Sequence, residues 1–275
     1  MHTVAIITNK KKDIDSYVTN KCIELLKDKF KLVFSDGTDP ESLKTLLKDC
    51  FGAIVIGGDG TILLAASSLA EAGVPILGIN MGHMGFLADV ELSELEKALR
   101  DFSDGNYNTE ERFMIEAAVY ADKKEKTPPL TALNDLVISR ASYTRMIALD
   151  VIVDNHFVTS YVGDGVVVST PTGSTAYSLS AGGPVVDSSL DVCIITPVCP
   201  HTMSSKPLIV PGSSEITIKF HANFDDISML TADGQKSVEI AEGDEIIIKA
   251  SALKTRLIKV SGRGFYDIFN KKLQG

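Results

Sequence analysis

The chain is short of positive charge, of paired cysteines and of long apolar runs. Its 27 Lys and Arg face 36 Asp and Glu, a formal net charge of −9. That balance argues against non-specific nucleic-acid binding and against docking to an anionic membrane surface, because both rely on excess cations. It leaves room for an anionic small ligand. The cysteines, Cys22, Cys50, Cys193 and Cys199, stand far apart with no C-x-x-C pair, so neither a zinc site nor a redox dithiol is expected. Cys193, inside the apolar run Val192 to Ile195, reads as a small buried thiol. No stretch approaches the roughly 18 consecutive apolar residues that span a bilayer. At the amino end Lys10, Lys11 and Lys12 follow a short apolar run instead of preceding it, which is not the order of a secretory signal. The expected location is the cytoplasm, with no membrane and no nucleic acid as partner.

What is present is a core-forming composition. The 275 residues are 44% hydrophobic and 23% charged, typical of a packed globular chain and long enough for two domains. The first part alternates strand and helix signals. Val4 to Ile7 is a short apolar run, and Asp13 to Lys29 has helical spacing with Ile14, Val18, Cys22 and Leu25 on one side. Lys31 to Phe34 is strand-like. Asp39-Pro40 supplies an N-cap and a proline at the first helical position, ahead of Leu43, Leu46 and Leu47. Ala53 to Ile56 predicts a strand, Thr61 to Ala72 a helix and Val74 to Ile79 a further buried strand. Ser93 to Phe102 closes the series as a helix, with Ser93-x-x-Glu96 as a capping-box candidate. Such a βαβαβαβ order favours a mainly parallel sheet with helices on both faces. After residue 105 the texture becomes that of short strands parted by turns such as Asp154-Asn155, Asp233-Gly234 and Glu242-Gly243-Asp244. Alternation at Ile147, Leu149, Val151 and Val153, and again at Ile216, Ile218 and Phe220, predicts half-buried strands. The polar segment Asp122 to Pro129 reads as a solvated loop. The expected architecture is an α/β nucleotide-binding domain over 1–105 and a β-rich, sandwich-like domain over 106–260, with a helix from Phe265 to Leu273 free to pack back on the first.

Three segments carry chemistry. In Ala53 to Thr61 a buried strand runs into Gly57-Gly58-Asp59-Gly60-Thr61 and then a helix, which places Asp59 at the carboxyl end of a parallel strand, where ligands bind in such sheets. The glycines leave backbone N–H groups open to phosphate oxygens near a helix N-terminus. The bland alternative is that Asp59 caps the helix. This is not the G-x-G-x-x-G fingerprint, since Leu63 stands where the third glycine belongs, and no G-x-x-x-x-G-K-[ST] occurs; a bound dinucleotide is not held as a hydride-transfer enzyme holds it. The second segment, Gly163 to Pro184, is a strand followed by Thr170-Pro171-Thr172-Gly173-Ser174-Thr175-Ala176-Tyr177-Ser178-Leu179-Ser180. Its small side chains let a ligand lie on the backbone, its hydroxyls hydrogen-bond, and Tyr177 offers a flat face to a base. Ordinary connections rarely hold such a composition for so long. The third, Asn134-Asp135, serves one site with both side chains only at a strand end or bend; alone it is a turn dipeptide.

Together these segments resemble the ATP-dependent NAD kinases. That family is marked by Gly-Gly-Asp-Gly-Thr after a buried strand, an Asn-Glu or Asn-Asp pair downstream, and a Thr-Pro-Thr-Gly-Ser-Thr-Ala-Tyr loop, and this chain has all three in order. The segment Gly78 to Leu87 is also similar, and Asp233-Gly234-Gln235 adds weaker support. The resemblance implies phosphoryl transfer from ATP, or polyphosphate, to the 2′-hydroxyl of the adenosine ribose of NAD, in a homo-oligomer (dimer or tetramer) with sites shared between subunits. It implies Asp59 as the catalytic residue that orients and deprotonates the hydroxyl, and Gly57, Gly58, Gly60 and Thr61 against phosphates. It implies a dinucleotide pocket of Asp59, Gly60, Phe86, Asn134, Asp135, Asp164, Thr172, Thr175, Ala176, Tyr177 and Ser180. Many relatives carry Glu where Asp135 stands, so its reach is one methylene shorter here. Magnesium, or another divalent cation, would arrive with ATP, with no protein ligands assigned. His83, in a glycine-rich loop, reads as a local hydrogen-bonding residue before an acid or base. Two other classes stay open: a kinase of the same Gly-Gly-Asp-Gly type with a lipid or sugar-phosphate acceptor, against which the Thr170 to Tyr177 loop argues, and a dinucleotide sensor without catalysis.

Overall fold

The computed structural model describes residues 1–82, 84–141, 146–201, 205–221 and 228–273; His83 lies outside them. The chain forms two compact units, residues 1–112 with 253–275, and residues 113–252. In chain order the first unit opens with β1 (His2–Thr8), α1 (Tyr17–Leu26), β2 (Phe30–Ser35), α2 (Pro40–Leu47), β3 (Cys50–Gly57), α3 (Asp59–Glu71), β4 (Ile76–Asn80), β5 (Val90–Glu91), α4 (Leu95–Asp104) and β6 (Asn108–Arg112). The second holds β7 (Ile115–Ala121), β8 (Lys124–Glu125), β9 (Leu130–Ala132), β10 (Asp135–Arg140), β11 (Ile147–Val153), β12 (His156–Gly163), β13 (Gly165–Ser169), α5 (Tyr177–Ser180), β14 (Val192–Val198), β15 (Leu208–Pro211), β16 (Ile216–His221), β17 (Ser228–Ala232), β18 (Lys236–Ile240) and β19 (Glu245–Ala250). The chain then returns to the first unit with β20 (Thr255–Lys259) and α6 (Phe265–Leu273).

The first sheet runs β2-β1-β3-β4-β20-β6, with β5 beside β4. Its pairs are parallel except β20 with β6. Val4, Ile6, Ile54, Ile56, Leu77 and Ile79 share one core with Val18, Cys22 and Leu26 of α1 and Leu95, Leu99 and Phe102 of α4. The intervening Ala5, Ile7, Ala53, Val55 and Ile76 are equally buried. They point the other way, as strand periodicity requires, and on that side α2 packs on α3. Helices on both faces explain why the strands read as continuous apolar runs instead of alternating ones.

The second unit is an antiparallel sandwich. One sheet runs β15-β14-β13-β10-β17-β18, the other β12-β11-β16-β19-β7-β8, with β9 on β7. Leu149 and Val151, Ile216, Ile218 and Phe220, and Ile246 and Ile248 meet Leu136, Ile138, Val166, Val168, Ile195 and Leu230 in a single core. The turns Asp154-Asn155 and Asp233-Gly234 both have two successive residues at positive φ (49° and 64°, 50° and 66°), the geometry that matches the twist of a hairpin.

Five sequence expectations need correction. Residues 106–112 and 253–260, placed in the β-rich part, build the antiparallel edge of the first sheet; pattern shows that a segment is a strand but not which distant strand it pairs with. The first helix starts at Tyr17, and Ile14 is 79% exposed, because the buried Asp13 carboxylate accepts the N–H groups of Val18 and Thr19 at 3.1 and 3.0 Å and so sets the start. The buried position near its end is Leu26, with Leu25 only partly covered. The capping box ahead of α4 joins Glu91 and Glu94 instead of Ser93 and Glu96. The Asp122 to Pro129 loop contains the short strand β8. Among the described residues no helix is long and apolar enough to cross a membrane.

Candidate functional site

In the first unit the chain leaves β1 for β2 on one side and returns to β3 on the other, so β1 and β3 flank the topological switch point of the sheet. Ligands of open parallel sheets bind at the carboxyl ends of such strands, and both exits here are polar. After β1 come Asn9 to Lys12; after β3 comes Gly57 to Thr61. Gly58 precedes α3 with φ +135°, a backbone state open to glycine and strained for other residues. Its carbonyl accepts the first helical bonds, from Thr61 N–H at 2.9 Å and Ile62 N–H at 3.1 Å.

Asp59 does not cap its own helix. One carboxylate oxygen accepts Phe86 N–H at 2.7 Å, and the other accepts Leu87 N–H at 3.0 Å and Ala88 N–H at 3.2 Å. A Cβ at Gly85 would strike this carboxylate, so the glycine is what lets the loop after β4 close on Asp59. A carboxylate has about four acceptor sites. Three are taken by the backbone, which fixes the group in place, and one is left.

Around Asp59 lies a cavity of about 730 Å³ lined by Lys12, Gly58, Asp59, Gly60, Asn80, Met84, Gly85, Lys271 and Lys272. Asp59 and Asn80 are its two side-chain oxygen donors, and three lysines face them. Lys12 Nζ donates to the Gly57 carbonyl at 3.0 Å. Lys271 pairs with Glu91 at 2.8 Å, and Lys272 Nζ stands 4.5 Å from the centre of the Phe86 ring. Gly60 is exposed, and no atom lies within 4 Å of where its Cβ would be. Thr61, by contrast, is buried and receives a 3.4 Å bond from Asn9; it lines a separate cavity of about 260 Å³ with Lys10 and Lys11. Phe86 packs against Phe265 of α6, with ring centres 5.8 Å apart. The carboxyl-terminal segment is held in this unit by Asp89, which accepts Val260 and Ser261 N–H at 2.8 and 2.9 Å, and by Arg263 against Glu94 at 2.6 Å.

The second unit gathers the other motif residues around the start of β10. Asn134 sits in the bend just before that strand and Asp135 is its first residue. Every backbone polar group of Leu133 to Asp135 is bonded. The three N–H groups donate to the Asp233 carboxylate at 2.8, 2.7 and 3.1 Å. The carbonyls accept Thr170 Oγ1 (2.6 Å), Thr170 N–H (2.9 Å) and Asp233 N–H (2.9 Å) in turn. Gly173 lies so close to the Asn134 carbonyl that a Cβ there would collide. Asp135 is buried, and burial together with the neighbouring Asp233 charge pushes its pKa up to about 7. Burial likewise raises that of Asp233, against the pull of its three N–H donors.

Along the hydroxyl-rich loop the residues divide. Ser174 and Ser178 are fully buried; the first bonds Pro171 and Val186 and the second bonds Thr196. Thr172 is buried too, its carbonyl accepting Thr175 Oγ1 at 3.3 Å. Thr175 and Ala176 are half-buried, and Tyr177 and Ser180 are exposed. Burial is the main cause raising the Tyr177 pKa, with the charges of Cys199, Asp164 and Asp135 adding to it. Asp164 is tied to Arg140 at 2.8 Å. The structure thus brings Asp59 and Gly60 together in the first unit, and Asn134, Asp135 and the Thr172 to Ser180 loop in the second. In the sequence Lys12 is read only with Lys10 and Lys11 against a secretory signal, Lys272 is not singled out, and Asp233 has no role beyond a turn and weaker support for the resemblance. The signals were three successive lysines after the first strand and a carboxylate at a hairpin turn.

Residues 38–107 match the ATP-NAD kinase N-terminal domain and residues 133–260 the ATP-NAD kinase C-terminal domain. An NAD kinase of Natranaerobius thermophilus is 39% identical over 100% of this chain and 99% of its own length. One of Moorella thermoacetica is 46% identical over 81% of this chain and 71% of its own. An NAD kinase from Archaeoglobus fulgidus, solved in complex with ATP, has a TM-score of 0.81 at 25% identity and covers 98% of both chains. With its motifs, its two-part architecture and these matches over the full length, the chain belongs to the ATP-NAD kinase family.

Proposed function

We propose that the chain transfers the terminal phosphoryl group of ATP to the 2′-hydroxyl of the adenosine ribose of NAD, giving NADP and ADP, with Asp59 as the catalytic residue. The observation that carries the reading is the Asp59 carboxylate, pinned by three backbone N–H groups at the carboxyl end of a central strand with one acceptor site left. That site suits one hydroxyl. The ribose oxygen attacks the γ-phosphorus, the bond to the β–γ bridging oxygen breaks with its electron pair leaving on ADP, and the hydroxyl proton passes to Asp59. The transition state of such transfers is loose, so aim and charge neutralisation outweigh base strength.

Gly57, Gly58 and Gly60 would lie against phosphates, with Thr61 bracing the turn from beneath. Asn134, Asp135, Asp164, Thr172, Thr175, Ala176, Tyr177 and Ser180 would serve the dinucleotide. The exposed ring of Tyr177 is the stacking face for its base, and Thr172 acts through its backbone. Phe86 reaches a nucleoside only by parting from Phe265 and Lys272. Magnesium brought by the donor would neutralise charge on the transferring group. It would need only one or two protein oxygens beside phosphates and waters, and the Asn80 side-chain oxygen, which lines the same cavity, would supply one while the last Asp59 acceptor stays with the hydroxyl. The reading carries a cytoplasmic, homo-oligomeric enzyme, dimer or tetramer, which light scattering checks. Polyphosphate as donor is a variant of the same chemistry, separated by an assay with each donor in turn. Asp59→Asn should abolish NADP formation; because its amide NH₂ can face N–H donors that now meet a carboxylate, thermal unfolding and NAD binding are measured beside it, and retained turnover would refute the role of Asp59.

A further inference from the structure

The first strand exit and the last helix both bring lysines to the Asp59 cavity, and their surroundings differ. Lys271 is already neutralised by Glu91 at 2.8 Å. Lys12 and Lys272 have no carboxylate within ion-pair distance among the described residues. Lys12 Nζ spends one of its three donors on the Gly57 carbonyl, and its ammonium lies 3.3 Å from where a Gly58 Cβ would be, which holds the charge against the glycine turn. Lys272 Nζ rests over the Phe86 ring at 4.5 Å, a weak holding contact for a cation. Phe86 itself is the residue whose N–H binds Asp59. Lys12 and Lys272 thus present two ammonium groups without an anionic partner to the same cavity that holds the Asp59 carboxylate, in a chain of net charge −9.

We propose that Lys12 and Lys272 hold the phosphate chain of the donor nucleotide, so that the carboxyl-terminal helix α6 is part of the donor site. The inference rests on the kinase reading above and assigns the donor within it. ATP carries close to four negative charges against two on the pyrophosphate of NAD, so the lysine-lined cavity fits the donor. The motif residues of the second unit suit the acceptor: they are an amide, hydroxyls, an aromatic ring and carboxylates, and Arg140 there is already bound to Asp164. The lysines bracket the phosphates from two directions, one from the strand-end loop and one from α6. In their absence Lys12 falls back on a carbonyl and Lys272 on an aromatic face. Both are positioning residues, orienting the donor toward the hydroxyl that Asp59 holds.

The test is calorimetric titration of the full chain with Mg-ATP and, separately, with NAD, for Lys12→Met, Lys272→Met and Lys97→Met. Lys97 lies on α4, paired with Asp101 at 3.0 Å and away from the cavity, so it controls for the change in net charge. Each cavity variant should bind ATP at least tenfold more weakly with NAD affinity held within twofold, and Lys12→Arg should recover most of the loss. Steady-state kinetics should show the same split between the two KM values. Unchanged ATP affinity in both cavity variants, or an equal loss for NAD, would overturn the assignment. Should Lys12→Met fold poorly, Lys272→Met on the exposed terminal helix decides alone. The two levels of the reading fail differently. A wild-type chain that makes no NADP sinks the kinase reading, whereas a wild-type chain that makes NADP and lysine variants that match it sink only the donor clamp.

Discussion

Gly60→Ala separates what the glycine turn does for folding from what it does for ligands. Gly60 is exposed in the first turn of α3, and a Cβ built on it meets nothing within 4 Å. Alanine is a better helix residue than glycine by about 1 kcal/mol in a helix interior and by less at an end. The variant should therefore be as stable as the wild type or slightly more so, with Tm unchanged or raised by about 1–3 °C for a chain of this size. If nucleotide lies against this backbone, the added methyl must displace it. Forcing one methyl group into a filled contact costs about 1–3 kcal/mol, which corresponds to a loss of about five- to a hundred-and-fiftyfold in kcat/KM. Gly57→Ala and Gly58→Ala should behave differently. A Cβ at Gly57 strikes the Thr61 side chain, and Gly58 sits at φ +135°, so both should lower Tm. The assay is NADP formation at varied ATP and NAD, beside thermal unfolding. Wild-type kcat/KM for both substrates in Gly60→Ala would show that no ligand approaches the backbone there. A lowered Tm would show that the space above Gly60 is not open.

Asp135 supplies a pH signature. Its folded-state pKa, about 7, stands above the usual value near 3.9, so the native state holds a proton that the unfolded chain releases. That stabilisation is complete below about pH 4 and is lost as pH rises through about 7. Asp135→Asn should accordingly raise Tm relative to the wild type more at pH 8 than at pH 5, and an equal difference at both would refute the assignment. Asp233→Asn presents an NH₂ group where three N–H donors now meet a carboxylate. It should destabilise by about 1–3 kcal/mol and weaken NAD binding through the displaced Asn134 and Asp135; chemical denaturation and calorimetry read the two effects. Burial pushes the Cys22 and Cys193 thiols up to about 12, whereas Cys199 is exposed. At pH 8 an aromatic disulfide reagent should label Cys199 at once, and Cys22 and Cys193 only after denaturation.

Much of the fold was legible because its signals are local. The runs Val4 to Ile7 and Ala53 to Ile56, the Asp39-Pro40 start of α2 and the paired turn residues at 154–155 and 233–234 each carry their own geometry. What failed was long range. The pairing of β20 with β4 and β6 joins residues far apart in sequence, and no periodicity names a partner. The start of α1 was missed because Asp13 acts from outside the helix, past Ser16 at φ 52°. In the site, the glycine turn and the Asn134-Asp135 bend were visible as patterns of residue type. The Asp59 bonds to Phe86, Leu87 and Ala88 were not, since they depend on how the loop after β4 folds back. Lys272 was out of reach for the same reason: its place in the cavity follows from the anchoring of the tail by Asp89 and Glu94.

Those three N–H bonds also bear on how a carboxylate can work beside a polyphosphate. Two like charges about 4 Å apart repel by about 4 kcal/mol at an effective dielectric of about 20, enough to weaken donor binding several hundredfold if nothing offsets it. The overall charge of −9 cannot help, and exposed charges farther off than the screening length of about 8 Å at physiological salt are largely screened. The offset has to come from groups in contact with the charges. Backbone dipoles aimed at Asp59 compensate the carboxylate before any ligand arrives, and they do so without a counter-ion that the phosphates would displace. The Lys12 and Lys272 ammonium groups, held by a carbonyl and an aromatic ring in place of carboxylates, then remain available to the phosphates. Had Lys12 been paired with Asp59, each would have cancelled the other, leaving neither a free acceptor for the hydroxyl nor a free cation for the donor. Satisfying the anion with neutral N–H groups and the cations with neutral acceptors keeps both functions open in one cavity.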